Sequence, residues 1–270
     1  TRKPWSREEL LVLCNLYEKI DFGKFHSRNP VLIEVAQRMG RTPASISMKL
    51  GNLGSLDPRL HARGIKGLSG ASALDRSVWQ EFHEHRNELA PESQALLNVL
   101  ITGAPDAEVT VLPESGLRVR QPPTGASTAK REVETRNGQD YFRDVVLNHY
   151  GRRCAVTGLS IEQLLVASHI VPWSKREDSR YDEQNGIALN ALHDKAFDRG
   201  LITFDTDLRL VCAPSLRDHF AEATAAQHFK AYEGKPLAIP AAPGSLTGAG
   251  AAGPKPEYLA WHRDEVFGKS

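Results

Sequence analysis

One stretch, residues 154–199, constrains the fold of this chain more than any other. It contains an apolar, partly β-branched run, LLVASHIVPW, which predicts a strand ended by Pro172. A charged loop follows, and IALNALHDKAF then carries apolar residues at a spacing that favours a short helix. His169 lies in the predicted strand, Asn185 in the turn after the loop, and His193 in the predicted helix. The stretch therefore predicts a strand, a loop and a helix that each carry one of these polar side chains.

This pattern resembles the HNH, or ββα-metal, nucleases. The likeness is to the branch whose core reads S/A-H-I-x-P-W, then N-G-x-x-L, then L-H-x-x-F-D-x-G. The present sequence has SHIVPW, NGIAL and LHDKAFDRG in the same order. The resemblance covers roughly the last half of the chain. It implies a C-terminal ββα-metal domain that hydrolyses phosphodiester bonds with one divalent cation in each active site.

Hydrolysis of a phosphodiester needs a base that deprotonates water and a cation that takes up charge on the phosphate. A histidine suits the first role because its ordinary pKa lies close to neutral pH. The resemblance assigns that role to His169 and makes His193 a metal ligand. It leaves two alternatives for Asn185, which either orients His169 or binds the metal through its amide oxygen. We expect Mg²⁺ or Mn²⁺, since oxygen-rich hydrolytic sites favour hard cations.

The sequence departs from the family pattern at one position. Many HNH enzymes have an acidic metal ligand directly before the base histidine, where this chain has Ser168. Asp198 could supply a carboxylate only if the helix ends before it, because five helical residues turn it away from His193. In the charged loop, Lys175 and Arg176 are expected to contact phosphate, and the alternative for both is a solvated loop.

Residues 4–57 predict three helices. Ser6 is an N-cap with Glu9 in the capping-box position, Gly40 ends the second helix, and Thr42 caps the third. A tight turn between the second and third helices is the outline of a helix-turn-helix.

The opening tryptophan and the segment RTPASISMKLGNL are also similar to Myb/SANT-like DNA-binding domains, in which the third helix enters the major groove. This resemblance implies that Ser45, Lys49 and Asn52 face outward, with Arg41 at the start of the helix. Lysine and arginine would then hold phosphates, and serine and asparagine would reach base edges. The alternative is a helical bundle with a solvated polar face or a dimerisation surface.

The composition changes between residues 102 and 136, where several prolines interrupt any periodicity. Within this segment VTVLP and LRVRQ are candidates for short strands. We therefore predict an α+β protein with a helix-turn-helix-like all-α domain over residues 1–101, a proline-rich linker over 102–136, and a ββα-metal nuclease domain over 137–270.

Composition excludes some classes of protein and leaves others open. Cys14, Cys154 and Cys212 form no C-x-x-C pair, so the zinc knuckles of some HNH proteins are absent, and a reducing cytoplasm is expected. No apolar run is long enough to span a bilayer, so no membrane partner is expected. The net charge of +1 neither indicates nor excludes a nucleic-acid partner, because a local basic strip is enough to contact phosphate.

The sequence thus predicts a cytoplasmic endonuclease that acts on double-stranded DNA. Restriction, including restriction of modified DNA in defence against phage, is implied by the resemblance alone. Because one HNH site cuts one strand, double-strand cleavage would require a homodimer or two binding events. Two alternatives stay open: a DNA-binding regulator with an inactive HNH fold, and a mobile-element homing endonuclease.

Overall fold

The computed structural model describes residues 3–120, 130–239 and 253–269. The chain forms two compact units, Thr1–Asn148 and His149–Ser270. The α-helices of the described residues are α1 (Arg7–Lys19), α2 (Pro30–Met39), α3 (Pro43–Gly54), α4 (Pro58–Ala62), α5 (Ala73–Glu84), α6 (Arg86–Thr102), α7 (Lys130–His149), α8 (Ala191–Asp198), α9 (Pro214–Arg217), α10 (Ala223–His228) and α11 (Pro256–Glu265). The β-strands are β1 (Glu108–Leu112), β2 (Gly116–Arg120), β3 (Leu165–His169), β4 (Gly186–Asn190), β5 (Ile202–Phe204) and β6 (Leu210–Cys212). None of the described helices is long and apolar enough to cross a membrane.

The three predicted capping positions of the first unit are confirmed at α1, α2 and α3. Ser6 and Glu9 form a reciprocal capping box at the start of α1. Gly40 ends α2 in the left-handed conformation, with φ of 63°, and the Thr42 side chain accepts a hydrogen bond from the Ser45 amide at the start of α3. A three-residue turn therefore separates α2 from α3.

A buried polar network connects the later part of the first unit to its central helix, α1. The ammonium group of Lys19 is fully buried and lies 3.3 Å from Asp144 Oδ2 on α7. The same carboxylate accepts a hydrogen bond of 2.9 Å from the Val111 amide on β1. Lys19 also donates to Gln94 on α6. These contacts tie α1, α6, α7 and β1 into one core, because each buried charge needs a partner.

The observed division of the chain differs from the predicted one. Residues 108–120, placed in a linker, form an antiparallel hairpin whose Val109 and Val111 are buried. Residues 137–148, placed in the nuclease domain, belong to the first unit. Two prolines of the predicted linker lie in turns between ordered elements, so they do not mark a flexible segment there; residues 121–129 lie outside the described part of the chain.

The second unit has a ββα core. Strands β3 and β4 pair antiparallel, with His169 opposite Gly186 and Leu165 opposite Asn190. Asn190 then caps α8 directly, through a hydrogen bond of 2.9 Å from the His193 amide. The helix therefore begins at Ala191, and the apolar residues before it form a strand rather than the predicted first turn. The predicted hairpin after α8 is confirmed as β5 and β6.

Candidate active site

His169 ends β3 with its ring held in one tautomer. Its Nε2 lies 3.0 Å from the carbonyl oxygen of Arg180. A carbonyl only accepts, so Nε2 carries the proton and Nδ1 of the neutral ring carries the lone pair. Burial lowers the pKa of His169, although the Arg180 carbonyl opposes this shift. The ring is therefore neutral at neutral pH, with Nδ1 as its basic atom.

Asn185 is fully buried, and its amide is occupied by the loop that follows His169. Its Oδ1 accepts a hydrogen bond of 2.9 Å from the Val171 amide. Its Nδ2 donates to the carbonyl oxygens of Val171 and Ser179, both at 3.1 Å. The amide oxygen is thus not placed to bind a metal, so that alternative is not supported. The geometry instead favours the orienting role, because the loop closed by Asn185 includes the Arg180 carbonyl that holds His169.

His193 is also fully buried, and both of its ring nitrogens face oxygen atoms of the protein. Nε2 lies 2.9 Å from the His228 carbonyl, and Nδ1 lies 3.0 Å from Asn190 Oδ1. The rings of Phe229 and Tyr232 pack around it. These contacts engage both ring nitrogens within the protein, so they do not support metal binding by His193, which stays a prediction. The residue packs α8 against the segment around α10.

Helix α8 carries two carboxylates, and one of them lies beside Ser168. Asp194 and Asp198 are four residues apart, so they share one face of the helix. Burial raises the pKa of both side chains. The charge of Asp198 raises the pKa of Asp194 further, whereas the nearby hydroxyl of Ser168 lowers it. Asp194 therefore lies beside the residue that precedes the base histidine.

Asp194 is not among the predicted site residues, because the prediction considered only the angle between Asp198 and His193. The readable signal was the D-x-x-x-D spacing inside LHDKAFDRG. In the structure α8 ends at Asp198, and this residue faces the same way as Asp194.

HNH nucleases generally use a divalent metal ion. Among the residues that the structure describes, no group of three or more His, Cys, Asp and Glu side chains is placed to hold a metal. Asp194, Asp198 and the Ser168 hydroxyl nevertheless provide hard oxygen donors. Ser168 Oγ is buried without a hydrogen bond of normal geometry. Burial also raises the pKa of both carboxyl groups, and a bound cation would stabilise their charged forms. Magnesium usually keeps several waters and takes one or two carboxylates, so the set fits one such ion.

The charged loop contains both predicted phosphate contacts, Lys175 and Arg176. Lys175 is exposed and forms no salt bridge with the described residues. Arg176 pairs with Asp178 at 3.1 Å, and its guanidinium lies 5.4 Å from the ring centroid of Tyr258. Of the two predicted phosphate contacts, Lys175 is thus exposed and unpaired, whereas Arg176 is already shared with a carboxylate.

The C-terminal helix α11 supports both walls of this site. Asp182, at the turn before Asn185, accepts hydrogen bonds from Lys255 and from the Tyr258 hydroxyl, the latter at 2.8 Å. On the other wall, the His262 ring stacks on Phe197 with centroids 3.7 Å apart, and its Nε2 donates to the Phe197 carbonyl at 3.0 Å. Helix α11 therefore holds the loop and the end of α8.

In the first unit, two predicted DNA contacts are engaged within the protein. Arg41 forms a salt bridge of 2.6 Å with Glu9, and its guanidinium lies 3.7 Å from the centre of the Trp5 ring. Lys49 is buried, and its ammonium group lies 2.9 Å from each carboxylate oxygen of Asp75. Neither side chain is placed to hold a phosphate, so the structure does not support these two predictions. The other two predicted contacts, Ser45 and Asn52, are half-exposed.

Comparison with known proteins identifies the segment that contains the candidate site. Residues 154–205 match a protein family described as HNH endonuclease. This segment runs from Cys154 to Asp205 and includes β3, β4, α8 and β5. No curated protein matches the chain at a significant level. The match implies a nuclease and therefore DNA as the substrate, and it supports an HNH endonuclease domain within the second unit of this chain.

Proposed function

We propose that this chain is a metal-dependent endonuclease that hydrolyses phosphodiester bonds in duplex DNA, with His169 as the general base. The observation that carries the proposal is the fixed tautomer of this ring. Because Nε2–H is bonded to the Arg180 carbonyl, Nδ1 carries the lone pair of the neutral ring and is the atom that would accept a proton from water.

The neighbouring residues have supporting roles in this proposal. Asn185 holds the loop that orients His169. Ser168, Asp194 and Asp198 would hold Mg²⁺ or Mn²⁺, which supplies charge stabilisation at the phosphate when bound. Lys175 would contact a phosphate, since it is exposed and lies in the loop that follows β3.

In this proposal the first unit recognises the DNA sequence, and the whole protein is a restriction enzyme that acts in defence against phage. Its substrate includes modified DNA as one alternative. The short turn between α2 and α3 supports a helix-turn-helix, with Ser45 and Asn52 on the outward side of α3. A DNA-binding domain joined to a nuclease domain is typical of restriction enzymes and of homing endonucleases. The two classes differ in the length of the DNA sequence that they recognise, which is longer for a homing endonuclease. Cleavage of both strands would require two active sites, supplied by a homodimer or by successive binding.

One observation favours a second candidate function, a DNA-binding regulator with an inactive nuclease fold. Ser168 stands where an acidic ligand is usual, and the described residues contain only two carboxylates at the site. In that case the protein would bind DNA without cutting it.

The test is cleavage of unmodified and cytosine-modified plasmid in magnesium, manganese or chelator. We expect the wild-type protein to cut only with metal, and His169→Ala to lose cutting by a factor of at least about 10². His219→Ala is the matched control, because His219 is exposed in the same unit and pairs only with Glu222 among the described residues. Intact gel shifts without cutting in any metal would favour the regulator.

A further inference from the structure

The outward side of α3 lines a pocket in the first unit. The pocket has a volume of about 290 Å³. Ser45, Met48 and Asn52 contribute from the helix, at spacings of three and four residues that place them on one face. Trp5, Gly70 and the residues beside them form the other walls. This volume lies near the lower limit for pockets that bind small ligands or parts of larger ones.

The pocket is preformed because two basic side chains hold its wall, Lys49 on α3 and Arg41 in the turn before it. The Arg41 guanidinium lies 3.7 Å from the centre of the Trp5 ring, and Lys49 Nζ lies 5.2 Å from it. Arg41 also donates to the carbonyl oxygens of Pro4 at 2.7 Å and Lys3 at 3.2 Å. These contacts fix the segment before α1 against α3. Arg41 and Lys49, which the sequence predicted to contact phosphates, thus stabilise the wall of the pocket.

The lining combines apolar and hydrogen-bonding groups. Met48 is 52% exposed, so a large apolar side chain of the pocket faces solvent. The Asn52 amide and the Ser45 hydroxyl line the same pocket, and neither forms a side-chain hydrogen bond with the described residues. A flexible thioether beside an indole offers an apolar contact, while the amide and the hydroxyl offer donors and acceptors.

We propose that this pocket binds the 5-methyl group of a pyrimidine in the major groove, on thymine or on 5-methylcytosine. Met48 and Trp5 contact the methyl group, and Asn52 and Ser45 hydrogen bond to base edges beside it. The 5-methyl group is the apolar feature that the major groove displays, next to the donors and acceptors of the bases. The inference rests on the proposed DNA-reading role of the first unit and names the chemistry that this unit reads.

The experiment uses the full-length protein in chelator and three barcoded pools of random duplex DNA. One pool contains deoxyuridine and cytosine and has no 5-methyl group, one contains thymine and cytosine, and one contains deoxyuridine and 5-methylcytosine. At limiting protein, the captured DNA consists mainly of the best sites. We expect one methylated pool to be enriched about fourfold over the unmethylated pool, the effect of burying one methyl-sized group. The enriched pool identifies the base.

Two variants make the assignment specific. Met48→Gln keeps the length of the side chain and removes the apolar contact, so enrichment should fall to about one while total captured DNA changes little. Ile33→Gln is the matched control, because Ile33 is 44% exposed on α2 and does not line the pocket, and enrichment should persist. Equal capture of all pools by the wild-type protein, or enrichment that survives Met48→Gln, would overturn the proposal.

Failure of this inference is distinguishable from failure of the nuclease proposal. If no pool is captured, the first unit does not bind DNA, and the proposed role of the pocket is refuted as well. Plasmid cleavage in magnesium or manganese, measured on the same preparation, reports separately on the active site of the second unit.

Discussion

Replacing Asn185 with alanine removes the side chain that closes the loop after His169. Three hydrogen bonds between this fully buried amide and backbone groups are lost, at 2.9, 3.1 and 3.1 Å, together with a longer one of 3.4 Å to the Ser179 hydroxyl. At a net value of about 1 kcal/mol each, the variant should lose about 3 kcal/mol of the free energy that keeps this loop closed. The backbone groups left behind are buried, so water does not fully offset the loss.

The measurement is amide hydrogen exchange of peptides that cover residues 170–185. A loss of about 3 kcal/mol corresponds to exchange that is about a hundredfold faster in this loop. Gln184→Ala is the control, because the Gln184 side chain makes one hydrogen bond with the described residues, to the Gly253 carbonyl at 3.1 Å, and exchange should increase by about tenfold or less.

Metal dependence separates this explanation from the alternative. If Asn185 closes the loop, Asn185→Ala should lower the cleavage rate without changing the Mn²⁺ concentration that gives half-maximal activity. The reasoning is refuted if exchange in the loop is unchanged while that Mn²⁺ concentration rises, because Asn185 would then act at the metal.

Four further predictions follow from the contacts of the site and of the first unit. Single-turnover cleavage should rise with pH through a midpoint below 6.5, the ordinary pKa of histidine, because burial lowers the pKa of His169 and only the neutral base accepts a proton. Asp194→Asn should raise the Mn²⁺ concentration for half-maximal cleavage by at least about tenfold, as measured by metal titration, since it removes one of two carboxylates. Tyr258→Phe removes a hydrogen bond of 2.8 Å and should cost about 1 kcal/mol in urea unfolding of the second unit. Lys49→Met removes the basic partner of the buried Asp75 carboxylate and should destabilise the first unit by about 3–5 kcal/mol. If Lys49 contacts no phosphate, the folded variant should bind DNA with the same salt dependence as the wild-type protein.

Local patterns were readable from the sequence because the atoms that decide them lie within a few residues of one another. The capping box of Ser6 and Glu9 and the left-handed Gly40 are contacts within a single turn of chain. The order of the three short motifs in the second half likewise indicated a ββα core, and the family match over residues 154–205 supports that reading.

Side-chain roles within the site were less readable, since the deciding partners are distant along the chain. His193 meets the His228 carbonyl, 35 residues away, and Lys49 meets Asp75, 26 residues away. Both residues have the chemistry of a ligand or a phosphate contact, and nothing in their immediate sequence shows that this chemistry is already used.

The sequence by itself determined where α1 and α3 start and where α2 stops, that the second half contains a strand–loop–helix motif, and that His169 is the candidate base. Tertiary structure alone decided that Asn185 faces the loop, that Asp194 lies beside Ser168, and that Arg41 and Lys49 hold a wall of a pocket. The physical reason is that capping depends on backbone groups within one helical turn, whereas the availability of a polar side chain depends on every group packed around it.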